Sequence, residues 1–263
     1  MLSSIFNTIK YYLQQIPGQY RLPLSFIAAG LLLWVCDDVF RSDKLPSPEL
    51  AGKQTANVFF TSGNDINYLL HLPQAYGKKR QQWPLILYLH GASLRGSDVN
   101  RVKRYGPPRM VEKKPEFPFI LLSPQCPPEK GWHEVNGLID LLDEIISEYA
   151  VDEGRIYLTG VSLGGSGAWH VGGEHPGKFA AIAPLCGYGN PNNASQFADL
   201  PVWVFHGKND KIVPLANSEN MYAAIKEEGG PIKFTKLPNA GHGIVEEVYG
   251  DNALYDWFLK QER

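Results

Sequence analysis

A serine between two glycines could supply a nucleophile. The segment Gly160–Gly164, which reads G-V-S-L-G, follows the apolar run Arg155–Thr159 and precedes small residues suited to the start of a helix. The pattern G-x-S-x-G between a strand and a helix places the serine on a strained turn, where its hydroxyl is exposed. Because a serine hydroxyl is a weak nucleophile at neutral pH, Ser162 requires a histidine base and a carboxylate from elsewhere in the chain.

Two later loops supply the expected partners. A polar turn that carries Asp210 follows the apolar run Pro201–His206. A glycine-flanked His242 follows the run Ile232–Leu237. In a parallel sheet, the loops at the carboxyl ends of the strands meet at one edge, so residues far apart in sequence can converge there. We therefore predict that Ser162 attacks a carbonyl carbon, that His242 takes and returns its proton, and that Asp210 orients the imidazole.

Backbone donors are needed for the negative charge that this attack would leave on the carbonyl oxygen. The N–H of Leu163, the residue after the nucleophile, is predicted to be one of them. The other is predicted to be the N–H of Ala92, in the loop that follows the run Pro84–Gly91. Trp132 lies in a loop that is predicted to open at the same edge, where it is a candidate wall of the substrate pocket; ordinary packing is the alternative.

Several other polar residues compete for roles in this site. Asp199 precedes its strand and therefore falls at the opposite sheet edge from Asp210, whereas Asp251 lies in a segment predicted to be helical. We interpret His90 and His206, which end strands beside the predicted site, as hydrogen-bonding residues that shape the neighbouring loops. No group of histidine, cysteine and carboxylate residues has the spacing of metal ligands, so neither a metal nor a cofactor is predicted.

Taken together, these segments resemble the α/β-hydrolase superfamily, in particular its small carboxylesterase/phospholipase-like and dienelactone-hydrolase-like esterases. The matching segments are Leu89–Ala92, Gly96–Asp98, Ser123–Pro127, Gly160–Gly164, His206–Asp210 and Ala240–His242. The resemblance extends from about Phe59 to Trp257 and implies a serine hydrolase that forms an acyl-enzyme. Dienelactone hydrolases use a cysteine where this chain has Ser162, so the resemblance favours ordinary ester hydrolysis over their ring-opening reaction.

The spacing of apolar residues predicts an α/β fold with a mostly parallel central sheet and helices on both faces. Strands are predicted near 56–60, 66–72, 84–90, 118–123, 155–160, 180–186, 201–206 and 232–237, and helices near 136–149, 164–175, 216–228 and 245–260. The first two strands should form a hairpin, and Asn136 is predicted to cap the first helix. Too few residues separate the strands at 180–186 and 201–206 to form a large lid domain, so the site should be open beneath the loop 93–110.

The N-terminal part of the chain differs in composition from the rest. We interpret residues 1–50 as an apolar segment and linker, and residues 51–263 as the catalytic domain. Residues 22–40 are almost free of charge at first and then include two acidic residues. They are a candidate membrane anchor that would leave the catalytic domain on the non-cytoplasmic side. The alternatives are a hydrophobic helix packed on the domain or a mis-chosen start codon, and the alternative location is cytoplasmic.

Net charge and cysteine content narrow the class of protein. The 263 residues carry a formal net charge of −2 and show no basic stripe, which argues against a nucleic-acid partner. Cys36, Cys126 and Cys186 have no spacing that demands a disulfide.

The predicted function is metal-independent hydrolysis of a small-molecule carboxylic ester. A thioesterase or a small serine peptidase would use the same triad, and a non-catalytic binding module is the alternative from another class.

Overall fold

The computed structural model describes residues 48–63, 65–78 and 81–263. The candidate anchor at residues 22–40 and Cys36 lie outside the described residues, and the division of the chain at residue 50 stays a prediction. Within the described ranges, no helix combines the length and the apolar character that crossing a membrane requires.

One sheet of eight strands forms the centre of the described residues. The strands are β1 (Gln54–Phe59), β2 (Ile66–His71), β3 (Trp83–Leu89), β4 (Ile120–Pro124), β5 (Val151–Val161), β6 (Ala181–Leu185), β7 (Val202–Gly207) and β8 (Ile232–Leu237). Their order across the sheet is β1-β2-β4-β3-β5-β6-β7-β8. β2 pairs antiparallel with β1 and β4, and every neighbouring pair from β4 to β8 is parallel. The predicted hairpin and the mostly parallel sheet are confirmed.

Six α-helices connect or flank the strands of the described residues. They are α1 (Pro107–Val111), α2 (Leu138–Glu148), α3 (Leu163–Glu174), α4 (Ala216–Glu227), α5 (Val245–Gly250) and α6 (Ala253–Phe258). The sequence analysis missed α1, and its single helix over 245–260 is wrong, because the backbone becomes extended at Asp251 (φ −91°, ψ 140°) between α5 and α6. The connection between β6 and β7 contains only a short 3-10 helix, Pro191–Phe197, and no lid domain.

The predicted cap of α2 is also wrong. Gly137, not Asn136, directly precedes this helix, and it has a left-handed backbone with a φ of 81° and a ψ of 6°. Residues with a Cβ avoid this conformation, whereas glycine adopts it readily. A Cβ at this position would also lie 3.1 Å from Cγ2 of Thr61. The helix therefore starts from a glycine turn packed against the β1–β2 hairpin and has no side-chain cap.

Two apolar cores lie on opposite faces of the sheet, because successive side chains of a strand point to opposite sides. On the buried strand β3, Leu85, Leu87 and Leu89 belong to one core, which includes apolar residues of α2, α3 and α4. Ile86 and Tyr88 belong to the other, with residues of α1, α5 and α6. Helices therefore cover both faces, as predicted, and the loops at the carboxyl ends of the parallel strands share one edge.

Candidate active site

Ser162 lies on a tight turn between β5 and α3. Its φ of 58° and ψ of −117° are unfavourable for a residue with a Cβ, so the surrounding structure must hold the turn in place. The two glycines of the motif allow this close packing. A Cβ on Gly160 would clash with the carbonyl oxygen of Gly164, and a Cβ on Gly164 would clash with that of Leu89. Glycines at both positions let β3, β5 and α3 approach each other around the serine.

The structure brings the three predicted triad residues into one hydrogen-bonded chain. His242 Nε2 lies 2.8 Å from Ser162 Oγ, and His242 Nδ1 lies 2.7 Å from Asp210 Oδ2. The three residues follow the carboxyl ends of β5, β7 and β8. When Nδ1–H donates to the carboxylate, Nε2 is free to accept the serine proton, which is the geometry that a general base requires.

The carboxylate of Asp210 has a hydrogen-bond donor for each oxygen. Its Oδ1 accepts from the backbone N–H groups of Ile212 at 2.8 Å and Val213 at 2.9 Å, and its Oδ2 accepts from His242. Burial by itself would raise the pKa of Asp210, but the hydrogen bonds from His242 and the two N–H groups outweigh it and lower the pKa below its usual value. Asp210 is therefore an anion held beside the imidazole.

A second histidine, His206, lies against the same carboxylate. It is fully buried, and its Nε2 lies 2.9 Å from the carbonyl oxygen of Val213 and 3.3 Å from Asp210 Oδ2. Its Nδ1 lies 2.7 Å from Ser218 Oγ. Because a carbonyl oxygen can only accept, Nε2 carries a proton and donates it to Val213. His206 thus holds the loop of Asp210, in agreement with its interpretation from the sequence.

The two predicted oxyanion donors each begin a helix. Ala92 is the first residue of the 3-10 helix Ala92–Leu94, and Leu163 is the first residue of α3. The first N–H groups of a helix have no acceptor within it, so both can serve a ligand. A Cβ on the neighbouring Gly91 would lie 3.6 Å from Ser162 Cβ, which places the Ala92 segment next to Ser162. Their binding of an oxyanion stays a prediction.

Comparison with known families and structures agrees with this architecture. Residues 129–254, which include the serine, the aspartate and the histidine, match the model of the dienelactone hydrolase family. A crystal structure of a thermostable esterase is 28% identical to the chain and superposes with a TM-score of 0.67, covering 82% of this chain and 64% of that one. The chain is a member of the α/β-hydrolase superfamily.

Two curated relatives of this α/β-hydrolase are fungal proteins. An uncharacterized secreted protein of Arthroderma benhamiae is 24% identical over 234 residues, or 71% of this chain and 24% of that protein. A probable feruloyl esterase C of Aspergillus terreus is 25% identical over 189 residues, or 68% of each chain. The α/β-hydrolase chain therefore spans about a quarter of the first relative and two thirds of the second.

Trp132 is 2% exposed and belongs to the core between the sheet, α2 and α3 of the α/β-hydrolase. Its indole Nε1 donates a hydrogen bond to the carbonyl oxygen of His90 at 3.0 Å, and the two rings meet edge-on with their centroids 5.0 Å apart. A buried indole offers little surface to a substrate. The burial therefore favours the packing alternative over a pocket wall.

Sequence reasoning did not place Cys186 in the site of this α/β-hydrolase, since no motif surrounds it. The residue is fully buried, has a φ of 36°, and its Sγ donates a weak hydrogen bond to the carbonyl oxygen of His242 at 3.7 Å. Burial raises the pKa of Cys186 to about 12, so it is a neutral thiol. Ligand atoms of Cys186, Asp210 and His242 lie within 4.8 Å of one another. Within this group, Asp210 Oδ2 and His242 Nδ1 already share a hydrogen bond of 2.7 Å.

Tyr105 is a second residue that no sequence signal singled out. It lies in the loop expected above the site, and its hydroxyl is 3.0 Å from Ser93 Oγ.

The two competing acids are exposed and stand apart from the triad: Asp199 precedes β7, and Asp251 separates α5 from α6.

Proposed function

We propose that this α/β-hydrolase cleaves carboxylic esters through an acyl-enzyme on Ser162. The observation that carries the proposal is the continuous chain of hydrogen bonds from Ser162 Oγ through His242 to Asp210, with distances of 2.8 and 2.7 Å. The similarity to the structure of a thermostable esterase and to a probable feruloyl esterase supports an ester as the substrate.

The reaction would proceed in two halves. His242 Nε2 takes the proton of Ser162 as Oγ bonds to the carbonyl carbon, and the resulting oxyanion accepts hydrogen bonds from the N–H groups of Ala92 and Leu163. The intermediate then expels the alcohol, which leaves with the proton from His242. A water molecule attacks the acyl group with help from the same base, and the acid is released as Ser162 regains its proton.

Exposed apolar side chains near the triad loops support a small organic substrate. Tyr188 is 52% exposed and Ile212 is 67% exposed. The N–H of Tyr188 donates to Ser166 Oγ at 2.8 Å, which ties it to the first turn of α3, beside the nucleophile. Ile212 is held in the turn that binds Asp210 Oδ1. Apolar groups with a few polar ones among them are typical of sites that bind small molecules.

The proposal is tested with a fluorophosphonate probe, which reacts with activated serines. We expect labelling of the wild type and of Ser166→Ala, and none of Ser162→Ala. Ser166 is a matched control because it lies one turn away on α3, where its Oγ contacts the carbonyl oxygen of Ser162 at 3.3 Å. Absence of labelling in the wild type would favour a non-catalytic binding module.

Substrate classes are separated by turnover. Rates on p-nitrophenyl esters should exceed those on acyl-CoA thioesters and on peptide anilides. Faster turnover of a thioester would assign a thioesterase, and faster turnover of an anilide would assign a peptidase on the same triad.

The non-cytoplasmic location expected from the sequence is part of the proposal. The description of the Arthroderma benhamiae relative as a secreted protein supports it. Fractionation of cells that express the full chain, beside a chain that starts at Ala51, tests the anchor at residues 22–40. Equal recovery of both chains in the soluble fraction would exclude membrane attachment through this segment.

A further inference from the structure

Every backbone carbonyl of residues 90–95, here called the oxyanion loop, accepts a hydrogen bond from a side chain. In order, the donors are Trp132 Nε1 to His90 O (3.0 Å), His90 Nδ1 to Gly91 O (2.7 Å), Arg95 Nε to Ala92 O (3.3 Å), Arg101 Nη2 to Ser93 O (3.0 Å), Gln125 Nε2 to Leu94 O (2.9 Å) and Arg101 Nη1 to Arg95 O (3.2 Å). Most backbone carbonyls in proteins bond to other backbone groups. An unbroken series of side-chain donors, four of them from residues outside the loop, therefore marks this loop as one whose backbone direction is fixed by side chains.

The direction of the Gly91 carbonyl sets the direction of the predicted oxyanion donor. In a trans peptide group the C=O and the next N–H point opposite ways, and the described residues contain no cis peptide bond. The oxygen of Gly91 is turned to His90 Nδ1 and also accepts from the N–H of Leu94 at 3.1 Å. The N–H of Ala92 belongs to the same peptide group and therefore points out of the loop, on its exposed side.

His90 can act as this anchor because its tautomer is determined. Its Nδ1 faces a carbonyl oxygen and must carry the proton, whereas its Nε2 accepts from the N–H of Cys126 at 3.0 Å and must be unprotonated. Burial lowers the pKa of His90 to about 4, which keeps the ring neutral near pH 7. Trp132 also contacts His90 directly: its indole N–H donates to the carbonyl oxygen of His90, and the two rings meet edge-on.

We propose that Trp132, His90, Arg101 and Gln125 are positioning residues, which aim the Ala92 N–H at the oxyanion before any substrate binds. This inference rests on the proposed function, because an aimed donor matters only where an oxyanion forms. A donor that is already in place needs no reorganisation as charge develops, and this preorganisation is the main advantage of an oxyanion site. Loss of an anchor should thus lower kcat more than it changes KM.

The first test compares two tryptophans of the same core. Trp132→Phe removes the indole donor and keeps an aromatic ring. Trp169→Phe is the matched control, because Trp169 is 3% exposed, lies in the same core, and its Nε1 has no hydrogen-bond partner among the described residues. We expect kcat for a p-nitrophenyl ester to fall about tenfold in Trp132→Phe. This is less than the loss of about a hundredfold or more that follows complete removal of an oxyanion donor, because the Ala92 N–H is still present but less firmly oriented. KM should be nearly constant, and Trp169→Phe should match the wild type.

A second measurement is independent of turnover. Hydrogen–deuterium exchange of peptides that cover residues 90–96 should be faster in Trp132→Phe than in Trp169→Phe. Equal exchange and equal kcat in the two variants would overturn the proposal. A wild type that neither hydrolyses esters nor reacts with the probe would refute the proposed function, and the exchange comparison would still decide whether Trp132 holds the loop.

A second pair of variants covers the case in which Trp132→Phe does not fold. Arg101 donates to two loop carbonyls with its planar guanidinium, which the single ammonium of lysine cannot reproduce. Arg101→Lys should lower kcat and accelerate exchange at residues 90–96. Arg104→Lys should do neither, because Arg104 is exposed at the end of the 3-10 helix Val99–Arg104, which also contains Arg101. Unchanged kcat and exchange in Arg101→Lys would contradict the anchoring role.

Discussion

The two loops that meet at Ser162 are held in different ways. In the oxyanion loop, side chains hold every backbone carbonyl, and four of these six bonds come from Trp132, Arg101 and Gln125 outside the loop. In the loop of residues 239–244, here called the histidine loop, backbone groups form the stronger contacts. The N–H of Asn209 donates to Ala240 O at 2.9 Å, and the N–H of Ile244 donates to His242 O at 3.0 Å. The thiol of Cys186 adds a weaker bond, at 3.7 Å.

This difference matches the two tasks that we propose for the loops. An oxyanion donor acts by staying in one direction, so the peptide group of Ala92 benefits from rigid anchoring. His242 must instead pass a proton from Ser162 to a leaving group, and later from water to Ser162. Its side chain is 22% exposed and is oriented by Asp210, which holds the imidazole without fixing every carbonyl of its loop.

The largest expected effect is on kcat, from loss of the proposed nucleophile or base. Without either residue, no reaction remains for the two loops to support. Ser162→Ala and His242→Ala should each lower kcat by roughly a millionfold on p-nitrophenyl esters, because the two side chains act as a unit. Steady-state kinetics and probe labelling measure this, with Ser166→Ala as the control. A variant of either residue that keeps substantial turnover would refute the triad.

Asp210→Asn should have the next largest effect. An asparagine can donate to His242 Nδ1 and so favour the tautomer that cannot accept the serine proton, which should lower kcat on the order of ten-thousand-fold. Asp199→Asn is a matched control at an exposed site beyond the triad. Full activity of Asp210→Asn would mean that another carboxylate supports the base.

The two loops can be compared directly by removing one side-chain hydrogen bond from each and measuring kcat. Cys186→Ala removes the thiol hydrogen bond from the histidine loop, and it should lower kcat by less than about threefold because a thiol is a weak donor. The decrease should be smaller than the tenfold effect expected for Trp132→Phe. Steady-state kinetics of both variants on one ester decides the order. A larger effect of Cys186→Ala would mean that the histidine loop needs the firmer anchoring.

The last prediction concerns stability in acid and not turnover, and it involves His90 of the oxyanion loop. Burial lowers the pKa of both His71 and His90 to about 4, with Glu112 partly opposing this at His71. The unfolded chain takes up these protons near pH 6.5, and the folded protein does so only near pH 4. The free energy of unfolding should therefore fall as the pH drops from about 6.5 to 4, by roughly 3 kcal/mol for each histidine. The stabilisation from Asp210, whose pKa is lowered, is fully present above the ordinary value of 3.8 and is lost only below it, so Asp210 does not add to this pH dependence.

Urea denaturation at pH 7 and pH 5 measures this dependence, and one variant separates the two histidines. Both ring nitrogens of His71 have no hydrogen-bond partner among the described residues, so His71→Leu breaks no hydrogen bond of that ring. This variant should lose about half of the pH dependence, and the remainder belongs to His90 in the oxyanion loop. Stability that is equal at both pH values in the wild type would contradict the assignment.

Much of the fold could be predicted because its signals are local. Apolar runs ended by turn residues located all eight strands, and the glycines around Ser162 identified the turn between β5 and α3. The errors also have local causes. The extended backbone at Asp251 and the left-handed Gly137 are single-residue conformations, which apolar periodicity does not encode.

The sequence by itself determined which residue types stand at the ends of the parallel strands, and hence that Ser162, Asp210 and His242 could meet. Only the tertiary structure decided how the oxyanion loop is held, since Trp132 and His90 are 42 positions apart, and Gln125 and Leu94 are 31 apart. The physical reason is that the positions of the strands along the chain follow from short-range patterns. The direction of one indole N–H depends on the packing of a whole core.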